Sequence, residues 1–333
     1  MASASKAWFR PSSATERVTV IAVLSERTNR REVWQAALPD DEVLEVAAGD
    51  DPGVAARAEV AIAVTDGRRV QALLAVAPRL RWLHSISAGV EGLVESGVVG
   101  HPGLVVTNNR GASVIPIAEH VVAVIGAAAK RLPHYERARQ QRRWERASHA
   151  ELRGATLVVL GIGAIGAEVA RLAAALGMRV IGVRRGEGPA PQGVAQVVGP
   201  SALVEVAREA DYLAICAPLT TETRGLVSAA VIERLRPTSW VINIARGPLL
   251  DEGALVAALR GKRIGGAALD VFDREPLPAD HPLWDFENVI LTPHASSSTP
   301  HHPQRVRDLF LDNLARFKRG EALLNVVPPG RGY

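Results

Sequence analysis

The chain predicts an α/β architecture of two doubly wound parallel-sheet domains, and three observations carry that prediction. Short apolar runs alternate with amphipathic helical patterns, which is how a parallel sheet and its covering helices are written in sequence. The alternation forms two series, separated by one long helical segment. The 333 residues are long for a single core and comfortable for two. A hydrophobic content of 47% supplies those cores, and with 4% aromatic residues Val, Leu, Ile and Ala must do the packing.

In the first series the runs Val18–Leu24, Val43–Ala48, Val60–Val64, Leu80–Ile86 and Leu104–Thr107 read as five strands. Arg31–Leu38 and Arg68–Val76 fit helices between them. A helical segment from Ile115 to about Trp144 leads to the second series. There Thr156–Leu160, Arg179–Val183, Tyr212–Cys216, Trp240–Ile244, Gly266–Leu269 and Val289–Leu291 read as six strands alternating with helices, the order of a doubly wound nucleotide fold. The tail Arg305–Gly320 reads as a helix with Leu309, Leu314 and Phe317 as its apolar contacts, packing back onto the first domain. The expected domains are residues 1–112 with 298–333, flavodoxin-like and substrate-binding, and residues 113–297, Rossmann-like, with a cleft between them.

Composition narrows the function classes. The net charge of +4 admits anionic ligands, but charges of both signs are mixed, and neither zinc-finger spacing nor an RNA-binding aromatic motif is present. The arginines at 137, 139, 142, 143 and 146 are interspersed with Glu136, Glu145, Gln140 and Gln141, which reads as a solvated helix face or subunit contact. Cys216 is the single cysteine, in keeping with a reducing cytosol. Residues 1–13 hold no apolar core of signal-peptide length, and the run Val121–Ala129 is too short to span a bilayer. A soluble cytoplasmic protein is expected.

Thr156–Leu160 runs into Gly161-Ile162-Gly163-Ala164-Ile165-Gly166, and a helix follows to Leu176, with Gly177 as its stop. A bare GxGxxG says little, but one that leaves a strand and opens a helix has a physical job. Gly161 permits the tight turn, Gly163 lets the backbone approach a pyrophosphate, and Gly166 lets helix and strand pack closely. The pyrophosphate then meets free N–H groups and the positive end of the helix. At the end of the next strand, where a carboxylate would hold a ribose 2′-hydroxyl, stand Arg184 and Arg185. A guanidinium pairs with a 2′-phosphate and a carboxylate repels it, so NADP(H) is favoured over NAD(H). Two solvated loop arginines, with either cofactor tolerated, is the plainer reading.

Three chemically different side chains follow strand-like runs further on: Arg246, Glu275 and His294. His294 comes after Val289–Leu291 and Pro293, on a loop where an imidazole can give or take a proton at physiological pH. Side chains gathered at the carboxyl ends of strands are how such a sheet assembles a reaction centre. Taken singly each has a bland reading: Arg246 as a strand-end cap, Glu275 as a loop acid before proline, His294 as structural. His120 beside Glu119 lacks a third ligand for a metal and reads as a packed or interface histidine. His301 and His302 read as exposed or substrate-rim residues, and Cys216 as a small buried side chain.

Val241-Ile242-Asn243-Ile244-Ala245-Arg246-Gly247, Ala268-Leu269-Asp270-Val271-Phe272, Glu275-Pro276 and Thr292-Pro293-His294 together resemble the D-isomer-specific 2-hydroxyacid dehydrogenases. Ser87-Ala88-Gly89-Val90-Glu91 resembles that family's substrate loop, and Cys216-Ala217-Pro218-Leu219-Thr220 its cofactor-contacting loop. The resemblance covers residues 40 to 328, and Arg184 departs from it, since many members carry Asp there. It implies reduction of a small 2-oxo acid of the glyoxylate or hydroxypyruvate type. His294 would be the general acid/base, Glu275 its partner, and Arg246 the ligand of the substrate carboxylate and keto oxygen. It also implies carboxylate binding by N–H groups near Ala88 and Gly89, with side chains around Thr65-Asp66 and Ser85 to Gly89 meeting the rest of the substrate. Asp270 would orient the nicotinamide amide, with Ala217, Pro218, Thr223, Ile244 and Ala245 lining the cofactor. A homodimer pairing through the nucleotide domain is implied as well. Four alternatives remain. A relative acting on phosphite is one; a formate enzyme would be expected to lack Glu275. A phosphoglycerate dehydrogenase usually carries a further regulatory domain. A nucleotide-sensing corepressor of this fold would keep the triad.

Overall fold

The computed structural model describes residues 18–25, 30–64 and 66–329. Thr65, expected beside the substrate, lies outside them. The chain forms two compact units, one from the described residues up to Ala112 with those from Pro300 onward, the other Ser113–Thr299.

The first unit is a five-stranded sheet of β1 (Val20–Leu24), β2 (Glu42–Val46), β3 (Val60–Ala63), β4 (Trp82–Ser85) and β5 (Val105–Thr107). Its order is β2-β1-β3-β4-β5, with every pairing parallel. Alternate residues of each strand face opposite sides, so Ala22, Ala61 and Leu83 pack under the helix Gly67–Val76, while Ile21, Ile62 and Trp82 face the tail helix His302–Arg319. That tail helix buries Val306, Phe310, Leu314 and Phe317, one stripe at helical spacing. Leu309, expected in the stripe, is only half-buried; Phe310 takes its place, stacked on Trp82 at 5.1 Å between centroids. Lys318, in the last turn, reaches the buried Asp41 carboxylate at 2.7 Å, which also accepts the Thr19 N–H at 2.9 Å.

The second unit holds β6 (Thr156–Leu160), β7 (Arg179–Val183), β8 (Gln196–Val198), β9 (Tyr212–Ile215), β10 (Trp240–Asn243), β11 (Gly266–Leu269) and β12 (Val289–Leu291). The order β12-β11-β10-β9-β6-β7-β8 is again parallel throughout. The chain turns back on itself between β6 and β9, which makes that junction the topological switch point, where ligands of such sheets bind. One strand more than expected is present. β8 is a three-residue edge strand, Gln-Val-Val, too short and too exposed to leave an apolar signature.

The helical segment also differs from expectation. It breaks into Val114–Ala129 and Leu132–Gln140, because Arg131 adopts a left-handed φ of 53° and Pro133 suits only the first turn of a new helix. Arg142, with φ 55°, ends the second piece before Trp144.

Candidate active site

The glycine loop has the tight turn at Gly161 and the close helix–strand packing at Gly166 that its spacing leads one to expect, and open space at Gly163. Gly161 has φ 92°, a conformation that costs glycine nothing. A Cβ there would lie 2.6 Å from the Ala217 backbone, so the loops after β6 and β9 touch at the switch point. A Cβ on Gly166 would lie 2.0 Å from the Gly161 carbonyl oxygen, which fixes how closely the helix Ala164–Ala175 packs on its strand. Around Gly163 nothing lies within 4 Å of such an atom. A side chain would fill open space in front of the first helical turn, where the N–H groups of Ala164 and Ile165 have no intrahelical acceptor.

Around that cradle the loops are tied internally. Thr223 donates its hydroxyl to the Pro218 carbonyl at 2.7 Å and accepts the Thr220 N–H at 2.7 Å, closing the turn that carries Ala217 and Pro218. Cys216 sits beneath, its thiol pushed up to about 12 by burial, an inert packing group. At the end of β7 the two arginines diverge. Arg184 donates to the carbonyls of Gly188 and Pro189 in its own loop, while Arg185 lies 3.8 Å from Glu222, with both of those side chains more than half exposed.

Arg246, Glu275 and His294 occupy the loops after β10, β11 and β12, adjacent strands of one sheet. Glu275 and His294 meet: Oε2 lies 2.8 Å from Nδ1, while Oε1 accepts the Phe272 N–H at 3.1 Å. His294 has a left-handed φ of 51°, a conformation uncommon outside glycine and found where surroundings over-determine it. The determinant is Asp270. Its carbonyl accepts the His294 N–H at 2.8 Å. Its carboxylate accepts from the Thr292 hydroxyl at 2.6 Å, the Ala295 N–H at 2.8 Å and the Ser296 N–H at 3.0 Å. Burial alone would raise the Asp270 carboxyl, but hydrogen bonds from Ser296, Thr292 and the backbone hold it below the ordinary range. The aspartate expected beside the nicotinamide therefore spends these hydrogen bonds on the turn that presents the histidine. Next to the pair opens a cavity of about 530 Å³ with a mostly apolar wall that includes Phe272, Leu277, Trp284 and Leu291.

Two residues that sequence reasoning did not single out shape the arginine's loop. Buried Asn243 accepts the Ala245 N–H at 3.1 Å and donates to the Arg246 carbonyl at 2.9 Å, and the Arg246 guanidinium donates to the Ala245 carbonyl at 2.7 Å. Ile244, expected at the cofactor, is buried, and Ala245 half-buried. A Cβ on Gly247 would lie 2.0 Å from the Phe272 carbonyl carbon, so the Arg246 loop rests directly on the loop of Glu275. An asparagine at a strand end and a glycine after the arginine were the available signals.

In the first unit Ala88 is exposed and Gly89 half-buried. Their loop is fastened by Asn108, which donates to the Ala88 carbonyl at 2.8 Å, and by the Asn109 N–H to the Ser87 carbonyl at 3.0 Å. Among the described residues no hydrogen bond uses the N–H of Ala88 or Gly89. His120 is half-buried, its ring lowered by burial against the opposing pull of Asp270. His301 is exposed; His302 is half-buried and also lowered by burial.

A Rossmann-type sheet with its glycine loop at the switch point, and an imidazole–carboxylate pair at neighbouring strand ends, defines the class of nucleotide-dependent oxidoreductases. The chain belongs to the D-isomer-specific 2-hydroxyacid dehydrogenase family: residues 122–296 match the model of that family's NAD-binding domain. It is 37% identical over 266 residues to a glyoxylate reductase of Aeropyrum pernix, covering 77% of this chain and 78% of the relative. It is 34% identical over 257 residues to a D-3-phosphoglycerate dehydrogenase of Methanocaldococcus jannaschii, covering 75% of this chain and 48% of that protein. A D-isomer-specific 2-hydroxyacid dehydrogenase of Xanthobacter autotrophicus Py2, solved in complex with NADPH and MES, superposes with a TM-score of 0.82 at 32% identity, over 95% of this chain and 99% of that one. Among the described residues no helix is long and apolar enough to cross a membrane.

Proposed function

We propose that this chain is a cytosolic, NADP(H)-preferring reductase of a small 2-oxo acid of the glyoxylate or hydroxypyruvate type, forming the D-2-hydroxy acid. The observation that carries the reading is the 2.8 Å contact between His294 Nδ1 and Glu275 Oε2. It leaves Nε2 as the ring nitrogen that meets substrate. Arg246 pairs with the substrate carboxylate and draws charge onto the keto oxygen. His294 delivers a proton to that oxygen in reduction and removes it in oxidation, and Glu275 fixes the tautomer and orientation of the ring. A bound nicotinamide cofactor supplies the hydride. The open space at Gly163 and the free N–H groups behind it fit a dinucleotide pyrophosphate. Arg184 and Arg185, in place of a carboxylate, fit a 2′-phosphate. In the first unit the N–H groups of Ala88 and Gly89 are the proposed grip on the substrate carboxylate. The reading includes a homodimer through the nucleotide unit; Trp144, 93% exposed, lies within the arginine stretch 137–146 that reads as a subunit contact.

The phosphoglycerate dehydrogenase relative supports a second reading, with 3-phosphohydroxypyruvate as the oxo acid. One steady-state panel separates the two: glyoxylate, hydroxypyruvate and 3-phosphohydroxypyruvate, each with NADPH and NADH. The expected result is a higher kcat/KM for the two small acids and for NADPH, with Arg184→Asp eroding the cofactor preference. A strong preference for NADH would remove the assignment of the arginines. Turnover of none of the three would favour a nucleotide-binding protein.

A further inference from the structure

The second unit contains another carboxylate–histidine contact, which the reaction as described does not use. Glu252 opens the helix Glu252–Arg260 and places Oε1 3.1 Å from His281 Nε2, with only 17% and 20% of the two side chains exposed. Its other oxygen, Oε2, accepts the Asp273 N–H at 3.3 Å. His281 Nδ1 accepts the Leu283 N–H at 3.3 Å, capping the turn Pro282–Asp285. A nitrogen that accepts carries no proton, so this hydrogen-bond pattern assigns the ring proton to Nε2, aimed at Glu252.

One carboxylate thus holds both ends of a loop, Asp273 at its start and His281 near its finish. Glu275 lies between them, its side chain 37% exposed and its carboxylate in contact with His294 and the Phe272 N–H. The start of the loop is also pinned from the other side, since a Cβ on Gly247 would lie 2.4 Å from the Asp273 nitrogen. The grip needs a carboxylate. Two donors converge on two oxygens, and a carboxamide would turn its own NH2 toward one of them. Asp273, Asp251 and Arg224 are the other charged groups acting here. Burial raises the Asp273 carboxyl, Glu252 and Asp251 push the same way, and Arg224 opposes.

We propose that Glu252 and His281 are positioning residues that set the placement of Glu275 against His294, so that the acid–base behaviour of the reaction is tuned from about one loop-length away. The inference rests on the acid–base reading of His294 and Glu275. In Glu252→Gln and His281→Asn the loop that carries Glu275 loses a tie at its start or its finish, and kcat for 2-oxo-acid reduction falls about tenfold with KM for NADPH nearly unchanged. His281→Asn separates capping from gripping, because the shorter amide still accepts the Leu283 N–H but does not span to Glu252.

The deciding readout is the pH–rate profile of the full chain, measured for wild type, Glu252→Gln, His281→Asn, Glu275→Gln and the Glu252→Gln/Glu275→Gln double variant. The high-pH limb of reduction should move to lower pH in all four variants. The double variant should move no further than Glu275→Gln alone, the signature of two residues acting through one contact. A limb that stays at the wild-type position in both Glu252→Gln and His281→Asn, while Glu275→Gln shifts it, overturns the proposal and leaves the dyad standing. Fully additive shifts overturn it equally. A limb that Glu275→Gln itself does not move sinks the dyad, and the proposal with it.

Discussion

Two histidines of this chain show opposite fates for the same side chain. His84, on β4 of the five-stranded unit, is fully buried, packed near Trp82 and Phe310 at 6.1 and 5.4 Å between ring centroids. Its Nδ1 lies 2.9 Å from the Thr107 hydroxyl, which also accepts the Trp82 Nε1–H at 2.8 Å. The other ring nitrogen, Nε2, is buried without a partner among the described residues. Burial pushes His84 down to about 3, so it stays neutral and serves as a flat packing group. His294 sits on a loop, 47% exposed, with a carboxylate on one nitrogen. Solvent access and a charged partner make an imidazole a chemical group, and neither is a property of the residue type.

The contrast breaks most visibly by truncation. His294→Ala, like Arg246→Ala, should lower kcat by about 10²–10⁴-fold while unfolding free energy falls by about 1 kcal/mol or less. His84→Ala should do the reverse, losing about 2–5 kcal/mol of stability, as other large-to-small core changes do, with kcat per folded molecule retained. Chemical denaturation and single-turnover rates on both variants check the pair. Matching losses of stability in the two would erase the distinction.

Acid sharpens it further. The folded chain keeps His84 neutral down to about 3, whereas the unfolded chain takes up the proton near the ordinary 6.5. Unfolding therefore binds a proton in that window, and stability falls as pH drops from 6.5 toward 3, by up to about 1.4 kcal/mol per pH unit from this one group. His84→Leu should flatten that slope, as read by denaturant midpoints at successive pH values. An identical slope in the variant would mean another group carries the acid response.

The unequal legibility of these regions has a physical cause. The glycine loop is six contiguous residues whose backbone demands are local, so the turn at Gly161 and the helix–strand packing at Gly166 are legible from spacing, and the geometry at those two matches. The strands of both sheets were legible because buried parallel strands are continuous apolar runs; β8, short and at an edge, was not. The meeting of Glu275 and His294 was foreseen only through the family's resemblance, since 19 residues separate them and nothing in the spacing fixes the loops. What holds those loops was missed for the same reason. Asn243, Gly247, Glu252 and the carboxylate bonds of Asp270 act through contacts that close only in three dimensions. A histidine inside Trp-Leu-His-Ser carries no sign of its burial, so His84 is not legible from the sequence. The break at Arg131 was missed because one left-handed residue leaves the apolar periodicity on either side intact.

The central claim is that Glu275 acts on His294 by charge, and the pH–rate profile of Glu275→Gln tests it most directly. The amide keeps the shape and removes the charge that favours imidazolium. Reduction requires the protonated ring, so its high-pH limb should move to lower pH. Oxidation near neutrality, which uses the neutral ring, should change less. A profile unchanged in both directions would contradict the account and leave the 2.8 Å contact without a chemical role.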